Sequence, residues 1–124
     1  MRRGGGHVGN TPYLSAMKQI LIIGASGAIG TALAETYQNK GWQCAGLSRK
    51  AQGLDFTQEQ TIADAMATVT GPFDTIVVAT GALTLGGVVP EKTIKAATAQ
   101  TMAAQMLVNA IGPALILGRI GAFL

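Results

Sequence analysis

Three glycines at three-residue spacing, Gly24-Ala-Ser-Gly27-Ala-Ile-Gly30, sit between the apolar run Gln19 to Ile23 and a helix-like stretch ending at Lys40. This arrangement can do chemistry as well as pack. Glycine lets the chain turn tightly and lets a ligand approach the backbone without meeting a Cβ. A helix that starts at such a turn aims its free N–H groups and positive dipole end at an anion. The anion best matched to a strand, a glycine turn and a helix is the pyrophosphate of a dinucleotide. The spacing differs from the commoner Gly-x-Gly-x-x-Gly, and an ordinary strand–helix turn is the rival reading. A P-loop is excluded because Thr31, with no lysine, follows Gly30. A nucleophile elbow is excluded because Ala28 stands where its last glycine would be, so Ser26 is a poor nucleophile.

The elements that must position this turn follow from the pattern around it. Gln19 to Ile23 is the continuous apolar run of a buried parallel strand. Ile29, Leu33 and Tyr37 give helical spacing, and Gly41 is a stop. Trp42 to Leu47 predicts a second strand, Gly53 to Phe56 a very short third, and Thr75 to Ala79 a fourth. Between the last two, Thr57 is expected to cap a helix with the apolar stripe Ile62, Met66 and Val69, broken by Gly71-Pro72. Leu83 to Pro90 reads as a loop, followed by a long helix from about Lys92 to Gly118. The alternation predicts an α/β fold, a Rossmann-like doubly wound parallel sheet truncated after about four strands, with the first strand central.

Composition narrows the class. The chain has 124 residues, 48% of them apolar and 12% charged. That charged share is about half the globular norm and suits a sheet buried on both faces. The net charge of +3 is uneven: Arg2, Arg3, Lys18, Lys40, Arg49 and Lys50 face only Glu35 in the first fifty residues. The basic half coincides with the proposed phosphate site. No basic run with interleaved aromatics argues for nucleic acid. Cys44 is the only cysteine, so no internal disulfide forms. Met1 to Ala16 lacks the apolar core of a secretory signal and reads as a disordered leader, with Met17 a second candidate start. A cytoplasmic location is expected. His7 has no companion ligand, so no metal site is expected. Ala96 to Gly118 carries no charge and is long enough to cross a bilayer. Its scattered Thr, Gln and Asn residues and Gly112-Pro113 favour instead a buried helix packed on the sheet or on a partner, with no membrane contact.

Further candidates lie at the strand ends. The second strand ends in Ser48-Arg49-Lys50, where an NAD-binding protein would carry an acidic residue for the ribose 2′-hydroxyl. A hydroxyl beside a guanidinium suits a 2′-phosphate, which favours NADP(H) over NAD(H); a solvated basic turn is the alternative. Asp55 could accept a bond from an adenine amino group or sit in an ordinary turn. The small residues of Val78-Ala79-Thr80-Gly81 allow close passage to a ribose. Asn109 needs a partner within its apolar helix, and could be a packing amide.

Taken together, Gly24 to Gly30, Leu54-Asp55-Phe56-Thr57, Val78 to Gly81 and Val108-Asn109-Ala110-Ile111-Gly112-Pro113 resemble the short-chain dehydrogenase/reductase family over most of residues 17–118. Pro90-Glu91-Lys92 and the Asn-Ala-Ile-Gly-Pro stretch are similar to its small C-signal-like members. The resemblance implies an NAD(P)-binding domain over 17–124 and hydride transfer between NADP(H) and a carbonyl or alcohol substrate. By motif position, Gly24, Ser26, Gly27, Ala28, Ile29 and Gly30 would hold the pyrophosphate region. Ser48 and Arg49 would hold the 2′-phosphate, and Asp55 and Phe56 would flank the adenine. Ala79, Thr80 and Gly81 would line the ribose side. Asn109 matches the asparagine that orders a proton-relay water.

One departure limits the implied activity. Family enzymes use a Tyr-x-x-x-Lys pair for acid–base chemistry. Here the only tyrosines are Tyr13 and Tyr37, both before the second strand. The expectation is therefore the N-terminal part of a longer reductase, inactive by itself, whose last strand is an exposed apolar edge. A homo-oligomer through Ala96 to Gly118 would cover that helix. A non-catalytic dinucleotide-sensing module is the second reading.

Overall fold

The structure is a computed structural model that describes residues 17–81 and 94–124. The expected leader, His7 and the loop from Leu83 to Pro90 lie outside the described residues. Three parallel strands, β1 (Gln19–Ile23), β2 (Gln43–Leu47) and β3 (Thr75–Val78), form a sheet in the order β2-β1-β3. Ile20 is level with Cys44 on one side and Thr75 on the other; Ile23 is level with Leu47 and Val78. The central place of β1 explains its composition. Both of its faces and both of its edges are covered, and Ile20 to Ile23 are fully buried.

Helix α1 (Ala28–Asn39) crosses from β1 to β2 and packs on both. It ends as expected: Gly41 has φ +86°, and its N–H bonds the Gln38 carbonyl at 3.0 Å. Alternation along β1 turns Leu21 and Ile23 to the other face. There they meet Leu47, Leu54, Phe56, Ile62, Ala65, Met66, Phe73 and Ile116 in one apolar core. Helices on both faces of a parallel sheet make the fold α/β and Rossmann-like, in agreement with the sequence pattern.

Three local expectations are corrected. Gly53 to Phe56 is not a strand. A four-residue helix α2 (Arg49–Gln52) follows β2 and ends at Gly53, whose φ of +72° stops it. Leu54 and Phe56 are buried from a turn. The Thr61 hydroxyl there accepts the Asp55 N–H at 2.9 Å and lies 2.8 Å from the Asp55 carbonyl, so this backbone needs no strand neighbour. Thr57 does not cap α3 (Gln60–Met66), which follows Glu59 with no side-chain cap. Its N–H and hydroxyl both go to Asp55 Oδ1, at 2.9 and 2.6 Å.

The third correction concerns the long helix. A single 3-10 turn covers Ile94–Ala96, and the helix proper begins at α4 (Ala99–Met106). Thr98 is extended there, and its hydroxyl accepts the Thr101 N–H at 3.1 Å, half of a capping box. Gly112-Pro113 does not break the helix. Pro113 has no N–H to return to the preceding turn. The five residues Leu107–Ile111 widen into a π turn, with the Gly112 N–H bonding the Leu107 carbonyl, before α5 (Gly112–Leu117) continues. Nor is the helix buried against the sheet. Within it only Gly112 and Ile116 are buried, while Met102, Met106, Ile111 and Leu117 are exposed. By length and composition alone, Ala99–Leu117 could cross a membrane.

Candidate dinucleotide site

The turn after β1 is fastened to the end of β2. The Gly24 and Ala25 N–H groups both bond the Leu47 carbonyl, at 2.8 and 3.1 Å. Ala79, just past β3, bonds the Ile23 carbonyl at 2.7 Å. The C-terminal ends of all three strands therefore meet at one place, and a cleft of about 510 Å³ opens there.

The three glycines do different work. Gly24 has φ +94°, and a Cβ on it would lie 2.6 Å from the Ala79 carbonyl oxygen, so the turn and β3 meet through bare backbone. Gly30 is buried, and a Cβ on it would overlap the Gly24 carbonyl oxygen; this glycine lets α1 sit against the turn. Gly27 has open space beside it, with Gly24 O at 3.6 Å as the nearest neighbour. It is the residue before α1 and brings no side-chain cap to the first turn, which has no acidic residue either. The N–H groups of Ala28, Ile29 and Gly30 have no partner within the helix, as in any first turn, so the dipole end is left for an outside anion.

Ser48 and Arg49 follow Leu47, to which this turn is bonded, and line the same cleft. Ser48 is buried; its Oγ accepts the Ala51 N–H at 3.1 Å and its own N–H goes to Gln52 Oε1 at 2.8 Å. That cap fixes the start of α2. Asp55 is held below the ordinary carboxyl range, first by the Thr57 hydroxyl and then by the Thr57 N–H. Arg49 lowers it further, while partial burial opposes. Asp55 is thus a carboxylate at neutral pH.

Among the expected site residues, the structure brings Gly24, Ser26, Gly27, Ser48, Arg49, Asp55, Phe56, Ala79, Thr80 and Gly81 together on the cleft wall. Ala28 and Ile29 are exposed on the first turn of α1, beside the cleft rather than on its wall. Gly30 is behind the turn. Asn109 does not line the cleft, but its Oδ1 would be 3.3 Å from a Cβ on Gly81, so it stands next to the end of β3. It is exposed, and its Nδ2 donates to Gln105 Oε1 at 2.8 Å; the polar amide is satisfied one helical turn away. Leu54, Thr57 and Val108 also line the cleft and were not singled out as contacts. Val108 lies in the π turn.

The sequence profile of the NAD dependent epimerase/dehydratase family matches residues 20–116, from the first residues of β1 to α5. The chain belongs to this family. No curated protein matches it significantly by sequence. Among solved structures, this family member resembles a short-chain alcohol dehydrogenase from Burkholderia multivorans, with 24% identity, a TM-score of 0.70, and coverage of 86% of this chain and 56% of that one. It resembles the protein lin1944 from Listeria innocua at 25% identity and a TM-score of 0.68, covering 85% and 50%. A small-chain dehydrogenase in complex with NADPH aligns at 18% identity and a TM-score of 0.70, covering 87% and 46%. These structures share the α/β fold described above. The chain spans about half the length of these structures.

The family name implies a nicotinamide dinucleotide. The cleft residues fit one: a Cβ on Gly27 would meet nothing nearer than 3.6 Å and would stand on the cleft wall, and the buried Thr80 hydroxyl has no hydrogen-bond partner among the described residues. Gly24 to Gly30 would hold the diphosphate, and Ala79 to Gly81 a ribose. When bound, the cofactor would supply or accept hydride.

Proposed function

We propose that this chain is the nucleotide-binding part of a short-chain oxidoreductase that prefers NADP(H) and transfers hydride between that cofactor and a carbonyl or alcohol substrate. The observation that carries the reading is that Arg49 lines one cleft together with Gly24, Ser26 and Gly27 of the glycine turn. Gly27 and the first turn of α1 bind the diphosphate through backbone groups. Arg49, with Lys50 beside it, neutralises a 2′-phosphate through charge-assisted bonds. Asp55, kept ionised by Thr57, accepts from the adenine amino group, and Phe56 excludes water from that end. Ser26, Ala28 and Ile29 border the diphosphate, while Ala79, Thr80 and Gly81 border a ribose. Asn109, beside Gly81, orders a water near the reacting carbonyl.

The sequence contains no Tyr-x-x-x-Lys pair to transfer a proton. Tyr37 packs edge-on against Trp42 at 4.9 Å, before the start of β2 and at the far end of the strand from the cleft. The same observation favours a second reading, a dinucleotide-sensing module without catalysis. Micromolar NADPH binding with no reductase activity in the full-length protein would select it. The exposed Met102, Met106 and Ile111 support the use of the uncharged helix as a homo-oligomer surface. Sedimentation of a single monomeric species at tens of micromolar would remove that part.

The principal test is fluorescence titration of the 124-residue chain with NADPH and NADH. NADPH should bind at least tenfold more tightly, and R49Q should erase the difference. Equal affinities for the two cofactors in the unmodified chain would overturn the preference.

A further inference from the structure

On the inner edge of β2 the Leu47 carbonyl takes the Gly24 and Ala25 N–H groups of the glycine turn. The backbone groups of Gly46 and Ser48, one residue to either side, point to the outer edge, where a further strand of the sheet would bond them. Among the described residues no strand lies there. The Gln52 side chain does. Its Oε1 accepts the Ser48 N–H at 2.8 Å, and its Nε2 donates to the Gly46 carbonyl at 3.3 Å. One carboxamide, with a donor and an acceptor, thus serves both groups that a neighbouring strand would serve. Gln52 is the last residue of α2, and its own N–H bonds the Ser48 carbonyl at 3.1 Å. Arg49 is therefore carried between two residues that are bonded to each other twice. The two sides of the cleft are fastened differently. The glycine turn is tied to Leu47 and needs nothing from Gln52. The start of α2, which brings Arg49 to the cleft, is held by Gln52 together with the Ser48 cap.

We propose that Gln52 is a positioning residue for cofactor preference: its carboxamide, standing where a strand would stand, holds the end of β2 so that Arg49 meets the 2′-phosphate of NADP(H). The inference rests on the NADP(H) reading above. Gln52 does not line the cleft and acts only through Ser48 and Arg49. Its signature is a loss confined to the phosphorylated cofactor, which a residue needed only for stability would not show.

The test titrates Q52M, R49Q and the double variant with NADPH and with NADH, beside the unmodified chain. Methionine keeps the length of the side chain and removes both bonds. Q52M should raise the NADPH dissociation constant five- to tenfold and leave that for NADH within twofold of the parent. In R49Q the phosphate contact is already gone, so adding Q52M should change NADPH affinity by less than twofold; residues that act through one contact are not additive. Q52N carries the same amide one methylene short, cannot reach both groups, and should give the same split; it takes the place of Q52M if that variant does not fold. NADPH affinity within twofold of the parent overturns the proposal. So does an equal loss for both cofactors, the result expected of a general support of the fold, and so does an undiminished loss in the R49Q background. A parent chain that binds the two cofactors equally overturns the NADP(H) reading itself, which is a different result from a preference that Q52M leaves intact.

Discussion

Gly30→Ala and Gly27→Ala change two glycines of one motif by the same methyl group, and the structure gives them opposite outcomes. At Gly30 the new Cβ would overlap the Gly24 carbonyl oxygen and come within 2.9 Å of Ala25 Cα and of the Gly24 carbonyl carbon. Carbon atoms in ordinary contact are about 3.5–4.0 Å apart. The obstructing atoms are backbone, and Gly24 and Ala25 are tied by their N–H groups to Leu47. Relief requires breaking those bonds or lifting α1 from the sheet. Overpacking costs about 1–3 kcal/mol even where side chains can adjust, so the upper end applies. The better helix propensity of alanine returns up to about 1 kcal/mol. A net loss of about 2 kcal/mol lowers Tm by roughly 8–16 °C in a domain of this size.

At Gly27 the nearest neighbour of a Cβ is 3.6 Å away and φ is −76°, so alanine fits. Alanine is a poorer N-cap than glycine, and a loss of roughly 0.5–1 kcal/mol is expected. The methyl, however, would stand on the cleft wall, where a diphosphate must approach the backbone. Circular dichroism melts of both variants, with NADPH titrations, separate the two roles. G30A should be strongly destabilised; G27A should melt within a few degrees of the parent but bind NADPH at least tenfold more weakly. A G30A variant that melts within 3 °C of the parent would refute the packing argument. A G27A variant with full affinity would refute the ligand role.

Two further outcomes follow from the same cleft. Gly112→Ala should lower Tm by several degrees although alanine is the better helix former, because its Cβ would overlap the Phe56 ring and lie 2.7 Å from Phe56 Cβ; a raised Tm on thermal unfolding would contradict that contact. Because Phe56 also lines the cleft, G112A should weaken dinucleotide binding from outside it. For Asp55, the folded carboxyl titrates below its ordinary value of 3.8, so its contribution is complete above that value and is lost as pH falls through the folded one. The Tm gap between the parent and D55N should therefore be constant above about pH 5 and close as the acid limb is entered; a gap that persists unchanged at pH 2 would show that the Thr57 bonds to the carboxylate are not its source.

The parts of this fold that were legible in the sequence are those set by covalent pattern alone. A run such as Ile20 to Ile23 has no polar side to offer, so it must be a strand covered on both faces, and its place in the centre of the sheet follows. The errors came where a distant group satisfies the backbone or fills the space. Leu54 and Phe56 alternate like strand residues, yet the Thr61 hydroxyl serves the backbone between them. Gly112-Pro113 reads as an interruption, yet a π turn absorbs the missing N–H. An uncharged helix reads as buried, but composition cannot say what buries it, and within this chain most of it faces outward. The site shows the same division. Ser48, Arg49 and Asp55, singled out by residue type, all line the cleft, although Asp55 follows a turn and not the strand expected there. Glycine is harder to read, because it records only that something else needs the room. Gly24 makes room for Ala79 and Gly112 for Phe56, partners more than fifty residues away in the chain. Gly27 is the one glycine of the motif on which a Cβ would meet nothing nearer than 3.6 Å, so its replacement by alanine separates a ligand role from a packing role.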